Sequence, residues 1–477
     1  MKNLYYALAA FLLLLSGCNQ SSTTVITGKI EGGQVDEINY SVPIDGFVFL
    51  GFQESASVDS LGNFTINVDL EKTSCLMINI PELGIYDKVV IEPRQKYDLI
   101  INKESEKPFQ MYGANEEGQS IYQEFPYSPF IYEQIEEYDN VDSLNIALRM
   151  MGEEKEAEIV QFKALLDDQK ISKLFFDYVK KDRDCYYASL SNVLSFSRLL
   201  EMDDHDDRKE TVDLISRVYD EYSPGDESLM GSLFWYEYAI QYCYFKLYTQ
   251  RKIKEMEQHT ECLDVAKQLL DGKALEYFEV MHLLHEIYPV AMKKEYDEKL
   301  IDLFDQFKRN FPKNKGVKYI DPLASEIKNN QRLIEQPFTE SMKFIPNTDN
   351  INSLEELIAL FKGQKLYIDV WATWCGPCLG EFKNNEKLKK LLKQQGIESV
   401  YVSLDKEPDE QRWKDMIKIF NLEGNHIRVN SNLYTDLQRV FDRDGRLTIP
   451  WYIMVDENGD ITDKHAKRPS ELVKDVE

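Results

Sequence analysis

Two cysteines with Gly-Pro between them, Cys375-Gly-Pro-Cys378, are the residues of this chain best suited to chemistry. A dithiol at this spacing can close to a disulfide and reopen, so it can exchange two electrons with another disulfide. The apolar, β-prone run Tyr367-Ile-Asp-Val-Trp-Ala372 stops just before it, and a helical pattern begins at Pro377. A thiol at a helix N-terminus has a lowered pKa and forms a thiolate near neutral pH. Cys375 is therefore expected to be the exposed, attacking thiolate. Cys378, one turn into the helix, is expected to be more buried and to resolve the mixed disulfide. The competing meaning of Cys-x-x-Cys is half of a zinc site, which needs a second ligand pair, and the sequence contains none.

Other candidate groups are weaker. His282 and His285 fall one helical turn apart with Glu286 beside them, but no further ligand completes a set and the HExxH order is absent. His205, His259, His426 and His465 are isolated, and neither a Gly-rich phosphate loop nor a G-x-S-x-G elbow occurs. No metal and no cofactor is expected. Cys75, Cys185, Cys243 and Cys262 could form two disulfides in any of three connectivities. Their places in apolar strand-like and helix-like runs favour small buried thiols instead.

The elements that must position the dithiol occupy a long chain. Its 477 residues correspond to about three domains at ~150 residues each. A formal net charge of -27 excludes a nucleic-acid partner. The acid is uneven: 23 acidic and 19 basic residues from Asp349 onward, against 60 and 37 before it. The upstream region thus carries the acidic, solubilising surface.

Val25-Ile-Thr-Gly-Lys-Ile, Phe47-Val-Phe-Leu-Gly-Phe, Phe64-Thr-Ile-Asn-Val, Leu76-Met-Ile-Asn-Ile, Lys88-Val-Val-Ile-Glu and Tyr97-Asp-Leu-Ile-Ile read as short strands divided by turns. They predict an antiparallel β-sandwich or small barrel over 25–115. From 116 to 340 the apolar spacing becomes helical, in stretches such as 142–178, 207–222, 229–248, 252–270, 275–288 and 295–311, without a fixed repeat. A linker over 335–352 leads into an α/β domain over 341–477, with the order β–α–β–α–α–β–β starting at Leu366.

The N-terminus has a lysine, a short apolar run from Leu4 to Leu15 and the tetrapeptide Leu15-Ser-Gly-Cys18. The run is shorter than the ~20 residues of a spanning helix. The pattern resembles a bacterial lipobox, which implies a signal peptide over 1–17, lipid on Cys18 and a polar tether over 18–24. No acidic run follows Cys18, so a periplasm-facing location is expected.

Asp369-Val-Trp-Ala-Thr-Trp-Cys-Gly-Pro-Cys378 resembles the thioredoxin superfamily. Glu381, Val402-Ser-Leu-Asp405, Ile449-Pro450 and Lys467-Arg-Pro-Ser470 are similar to its TlpA/ResA-type envelope branch. The resemblance spans about 347–477. It implies a thioredoxin fold in which Asp369 is a buried acid that moves the proton of Cys378 and Glu381 is an acidic residue near the dithiol. It also implies a cis peptide at Pro450, with Ile449 pairing to a substrate chain and Trp374 beside it. The charged approach Asp442-Arg-Asp-Gly-Arg-Leu447 departs from the family pattern. Val58-Asp-Ser-Leu-Gly-Asn-Phe64, Ile91-Glu-Pro and Tyr112-Gly-Ala-Asn115 resemble the β-domain of DUF4369 type found ahead of such modules.

Together these imply a multidomain, membrane-anchored thiol-disulfide oxidoreductase of the envelope. Disulfide-bearing proteins are its expected substrates, and a membrane electron donor is expected to re-reduce it. The Gly-Pro spacer favours a reductase, since thioredoxin with this dipeptide works near -270 mV. An oxidant or isomerase would use the same residues. A peroxidase of the AhpC-like relatives would need Pro at 368 and Thr or Ser at 372, where Ile368 and Ala372 stand. A scaffold with a secondary redox role is the non-enzymatic alternative.

Overall fold

The computed structural model describes residues 23–44, 47–125, 131–138, 140–202, 205–250, 259–441 and 446–474. The apolar N-terminal run, Cys18 and residues 442–445 lie outside them. The chain divides into two compact units. One runs to Pro289 and includes Glu298–Leu323, and the other holds Val290–Asp297 and the chain from Ala324 onward.

The first unit begins with β1 (Thr23–Glu31), β2 (Glu37–Ile44), β3 (Phe47–Ser57), β4 (Asn63–Asp69), β5 (Ser74–Ile80), β6 (Ile85–Ile91), β7 (Lys96–Asn102) and β8 (Phe109–Gly113). They form two sheets, ordered β4-β1-β7-β8 and β3-β2-β5-β6. Alternation packs the sandwich: in β4, Phe64, Ile66 and Val68 point into the core that Ile26, Leu76, Ile78, Tyr97 and Leu99 also line. The β3–β4 turn is tied by Asp59, whose Oδ1 accepts from the N–H groups of Leu61 and Asn63 at 2.8 Å each. Gly62 has φ +83° there, and a Cβ would stand 2.5 Å from the Ile30 carbonyl oxygen, so glycine is required.

The antiparallel expectation needs one correction, because β1 and β7 run parallel. A strand with one buried face alternates in the same way whichever direction its neighbour takes, so the residues did not reveal it. β2 and β8 were not anticipated, and β1 starts within the stretch read as a tether, at Thr23.

β5 is buried almost throughout because both its faces are covered. Leu76, Ile78 and Ile80 face the sandwich core, while Cys75 and Met77 face Tyr122, Phe162, Phe175 and Tyr178 of the helical layer. That layer contains helices Leu144–Asp167, Lys173–Glu201, His205–Glu221, Trp235–Thr249, His259–Leu269 and Gly272–Met292, followed by Glu298–Asn310 and Val317–Glu335. The pattern read as one helix over 142–178 is two, separated near Gln169, which has φ +58°. Cys75, Cys185 and Cys243 are buried free thiols, Cys262 is buried as well, and burial pushes the pKa of all four up. Both ring nitrogens of His282 are engaged, Nδ1 with Tyr236 Oη at 3.0 Å and Nε2 with the His259 carbonyl at 3.2 Å, and His285 stacks on Tyr236.

Sheet and helices join at Glu92. Its buried Oε1 accepts from Asn115 Nδ2 at 2.8 Å and from the Ser172 hydroxyl. Asn115 Oδ1 accepts from the Ser172 N–H at 2.7 Å, and Ser172 Oγ caps helix Lys173–Glu201 by accepting from Phe175 N.

The second unit carries β9 (Met342–Phe344), β10 (Lys365–Trp371), β11 (Ile397–Ser403), β12 (Gly424–Arg428), β13 (Trp451–Val455) and β14 (Ile461–Asp463), in the order β14-β13-β10-β11-β12-β9. Strands β9 to β12 run parallel, and β13 is antiparallel to β10 and β14. β12 and β9 correct the expected order. β12 lies between helices Glu410–Ile419 and Ser431–Phe441, and β9 turns part of the expected linker into an edge strand. At five and three residues, with Asn425, Arg428 and Lys343 among them, both are too short for period-2 alternation to show.

β10 is buried on both faces. Leu366, Ile368 and Val370 pack against helices Leu354–Ala359 and Ser431–Phe441. Tyr367 and Trp371 face the other layer, where Leu388 and Leu392 of helix Asn385–Gln395 and Trp413 and Met416 of Glu410–Ile419 pack. Such an apolar strand with helices on both sides is typical of a central strand in an α/β sheet, here mixed because β13 runs antiparallel to it.

Asn115→Ala should destabilise the first unit by about 2–4 kcal/mol. It removes hydrogen bonds at a buried carboxylate and places a Cβ-bearing residue without a local hydrogen-bonding group at φ +63°. Urea unfolding followed by circular dichroism measures this, and a loss below about 0.5 kcal/mol would rule out the junction as a stabilising point.

Candidate active site: a dithiol at the strand–helix junction

Residues 372–375 carry the chain from the end of β10 into helix Gly376–Glu381. Pro377 suits the first turn, where its missing N–H costs nothing. Cys375 is the N-cap, and its Sγ accepts from the Cys378 N–H at 3.2 Å. The two sulfurs are bonded, with the Cα atoms 5.3 Å apart. Cys378 is 1% exposed, as its place one turn into the helix predicts. Cys375 is only 5% exposed, which corrects the expectation of an open thiol. In the closed disulfide it belongs to the buried cluster that also holds Trp371, Ala372 and Phe382. Trp374, 65% exposed, and Pro377 beside the dithiol both reach solvent.

The loop is held by Asp405, a residue within a motif noted in the sequence but given no role there. Both Asp405 oxygens accept from the Thr373 N–H, at 3.1 and 3.0 Å. Oδ1 also accepts from the Thr373 hydroxyl at 2.8 Å, and Oδ2 from Ser403 Oγ at 2.7 Å. Asp405 is 1% exposed, and these donors compensate its burial. The available signal was an acid directly after a β-prone run, next to Ser403.

Asp369 sits in mid-strand with Tyr401 of β11 and Tyr452 of β13 as its register partners and Tyr367 two residues before it on the same face. Its Oδ1 has no hydrogen-bond partner among the described residues. Burial, and then the negative charge of Glu381, push its pKa well above the usual carboxylate value of 3.8. Glu381 closes the helix and is half-buried, and it accepts from Ser470 N at 2.9 Å and Ser470 Oγ at 3.0 Å. The Ile449–Pro450 bond is cis. Because Val370 pairs with Trp451, Pro450 falls one register step farther along, toward the end of β10 where the dithiol loop begins. Ile449 packs against the cluster holding Cys375 and Cys378. The structure thus brings together Cys375, Cys378, Ile449 and Trp371 in one cluster, and the charge of Glu381 acts on Asp369 in the strand that leads to them. Cys18 lies outside the described residues.

A strand, a Cys-x-x-Cys at the start of the following helix, and a cis-proline strand beside it define a thioredoxin-like redox domain. Residues 339–477 match the Redoxin family. Among solved structures, a candidate thiol-disulfide oxidoreductase from Bacteroides vulgatus is 31% identical, covering 25% of this chain and 73% of that one, with a TM-score of 0.22. A crystal structure of such a protein from the same organism is 30% identical over 25% of this chain and 82% of that one, with a TM-score of 0.20. The thioredoxin domain of a thiol-disulfide oxidoreductase, also from Bacteroides vulgatus, is 27% identical over 25% and 80%, with a TM-score of 0.21. Residues 339–477 of this chain thus form a Redoxin-type, thioredoxin-like domain.

Asp369 has a consequence for stability. The folded state holds its proton more tightly than the unfolded chain does, so its contribution is full below about pH 3.8 and is lost as pH rises through the folded-state value. Asp369→Asn should therefore be more stable than the parent at pH 8, with the gap closing as pH falls toward 4. Urea midpoints from pH 4 to 8 measure it, and a gap independent of pH would contradict the buried, uncompensated carboxyl.

Proposed function

We propose that this protein is a lipid-anchored reductase of disulfides in envelope proteins, facing the periplasm. The observation that carries the reading is the closed Cys375–Cys378 pair, set at a helix start that follows the strand holding the buried Asp369, whose Oδ1 has no hydrogen-bond partner among the described residues. Once reduced, the Cys375 thiolate attacks one sulfur of a substrate disulfide. The substrate S–S bond breaks, a Cys375–substrate disulfide forms, and the other substrate sulfur leaves as a thiolate that takes a proton. Asp369 accepts the proton of Cys378, whose thiolate attacks Cys375 Sγ. The Cys375–Cys378 bond forms, the second substrate sulfur leaves, and the substrate has gained two electrons. Ile449, before the cis bond, offers backbone groups with which an extended substrate segment could pair as a short strand, and the exposed Trp374 next to Cys375 is open to contact with that segment.

The reductive direction is supported by the Gly-Pro spacer. In an oxidising compartment the disulfide must then be reopened by a membrane-bound electron donor. The lipobox-like Leu15-Ser-Gly-Cys18 supports the anchor.

Cys378→Ser should hold substrates on Cys375 as mixed disulfides that dithiothreitol releases, while the Cys375→Ser/Cys378→Ser double variant should hold none. Affinity capture from envelope extracts tests this, and equal capture by both would remove the dithiol from the reading. Equilibration with a glutathione redox buffer should place the pair near -270 mV, and a value above about -180 mV would overturn the reductive direction in favour of an oxidant or isomerase.

A further inference from the structure

The charge of Glu381 acts on Asp369, the buried acid before the dithiol, and a residue near the C-terminus grips the Glu381 carboxylate. Ser470 contributes its N–H to Glu381 Oε2 at 2.9 Å and its hydroxyl to Oε1 at 3.0 Å, across 89 residues of sequence. One residue thus engages both oxygens of a half-buried side chain that would otherwise be free to swing toward water.

Ser470 is itself held in place. It is the second residue of helix Pro469–Lys474, whose Val473 packs with Tyr367, Leu388, Leu392 and Tyr452. The segment leading into that helix is tied to the sheet, since Ala466 N–H donates to the Tyr452 carbonyl at 3.0 Å and Tyr367 Oη donates to the Lys467 carbonyl at 2.9 Å.

We propose that Ser470 is a positioning residue of the dithiol site: by clamping Glu381, it keeps a negative charge directed at Asp369 and so sets the pH at which Asp369 can take the proton of Cys378. This rests on the reading that Asp369 is the proton acceptor of the resolving step.

Among the described residues, Glu381 is the charge that acts on Asp369. Asp369 is flanked by neutral phenols, Tyr367 on its own strand, Tyr401 on β11 and Tyr452 on β13, all held neutral by burial. His426 of β12, also neutral through burial, stacks on Tyr401. Beyond Ser470 the C-terminal segment adds Glu471, whose charge acts on Tyr367, and Arg468, whose charge acts on Tyr452 and whose N–H bonds Glu471. From the dithiol helix, Cys378 packs in the cluster that contains Tyr401. Among the causes acting on Asp369, only burial precedes the charge of Glu381. Releasing Glu381 weakens that repulsion, and Asp369 then gives up its proton at lower pH.

The test uses the reduced full-length chain and dithionitrobenzoate, an aryl disulfide whose released thiolate is coloured. Cys375 attack releases the first equivalent and Cys378 attack the second, so rapid mixing from pH 4 to 9 follows the two steps separately. Ser470→Ala should shift the rising limb of the second release to lower pH by about half a unit, the scale of one hydrogen bond. The first release should keep its parental profile. Ser470→Thr, which retains the hydroxyl, should restore the parental midpoint, and Glu381→Gln should shift it in the same direction as Ser470→Ala and further. A Ser470→Ala midpoint identical to the parent's overturns the proposal, whether or not the urea midpoint falls, because a purely structural role changes stability without moving this limb. Asp369→Asn separates the two layers of the claim. If it abolishes the limb while Ser470→Ala leaves it unmoved, only the role of Ser470 fails; if it leaves the limb intact, the Asp369 reading fails.

Discussion

Two buried aspartates, one within β10 and one just past the neighbouring β11, are treated in opposite ways and set the terms for the C-terminal domain. Asp405, just past β11, is surrounded by donors from Thr373 and Ser403, and its carboxylate fixes the loop on which Cys375 stands. Hydrogen bonds to a charged acceptor are worth roughly 1.5–3 kcal/mol each, enough together to offset the several kcal/mol that burying the ion costs. Asp369, in mid β10, has tyrosines on three sides and an Oδ1 without a partner among the described residues. The first arrangement makes an immobile anchor. The second makes a group that holds its proton at a pH where other carboxyls have lost theirs, which is the property a proton acceptor for a thiol needs.

The dithiol depends on both. A Cys-x-x-Cys disulfide closes only if the strand end, the loop and the first helical turn hold the Cα atoms at the spacing seen here, 5.3 Å. The loop is fixed from one side by Asp405. From the other, the helix layer packs on Trp371 through Phe382 and on Tyr367 through Leu388 and Leu392. β13 brings the cis Ile449–Pro450 bond to the same end of the sheet.

The first unit applies a similar logic to a larger junction. β5 and β6 serve two cores at once, with the sandwich on one face and the aromatic helical layer on the other. A buried carboxylate, Glu92, ties sheet to helix through Asn115 and Ser172. Cys75 faces the helical side of this double core, which accounts for a free thiol where a disulfide was conceivable.

Much of this was legible along the chain. The apolar run ending at Cys-Gly-Pro-Cys marks strand, loop and helix start because local patterning and a proline at the first turn are properties of consecutive residues. The succession of strands, helices and an α/β domain follows from the change in apolar period. Tertiary structure decided the rest. The parallel pairing of β1 with β7, and the admission of short β12 and β9 to the sheet, depend on partners far away in sequence that leave no local period. The burial of Cys375 depends on what packs over its sulfur once the disulfide closes. The hold of Asp405 on Thr373 spans 32 residues, and that of Ser470 on Glu381 spans 89. A sequence names the groups that can ionise or react. Which of them lose water, and which charge each then meets, is settled only when distant segments pack together, and those two quantities set a carboxyl's proton affinity and a thiol's reactivity.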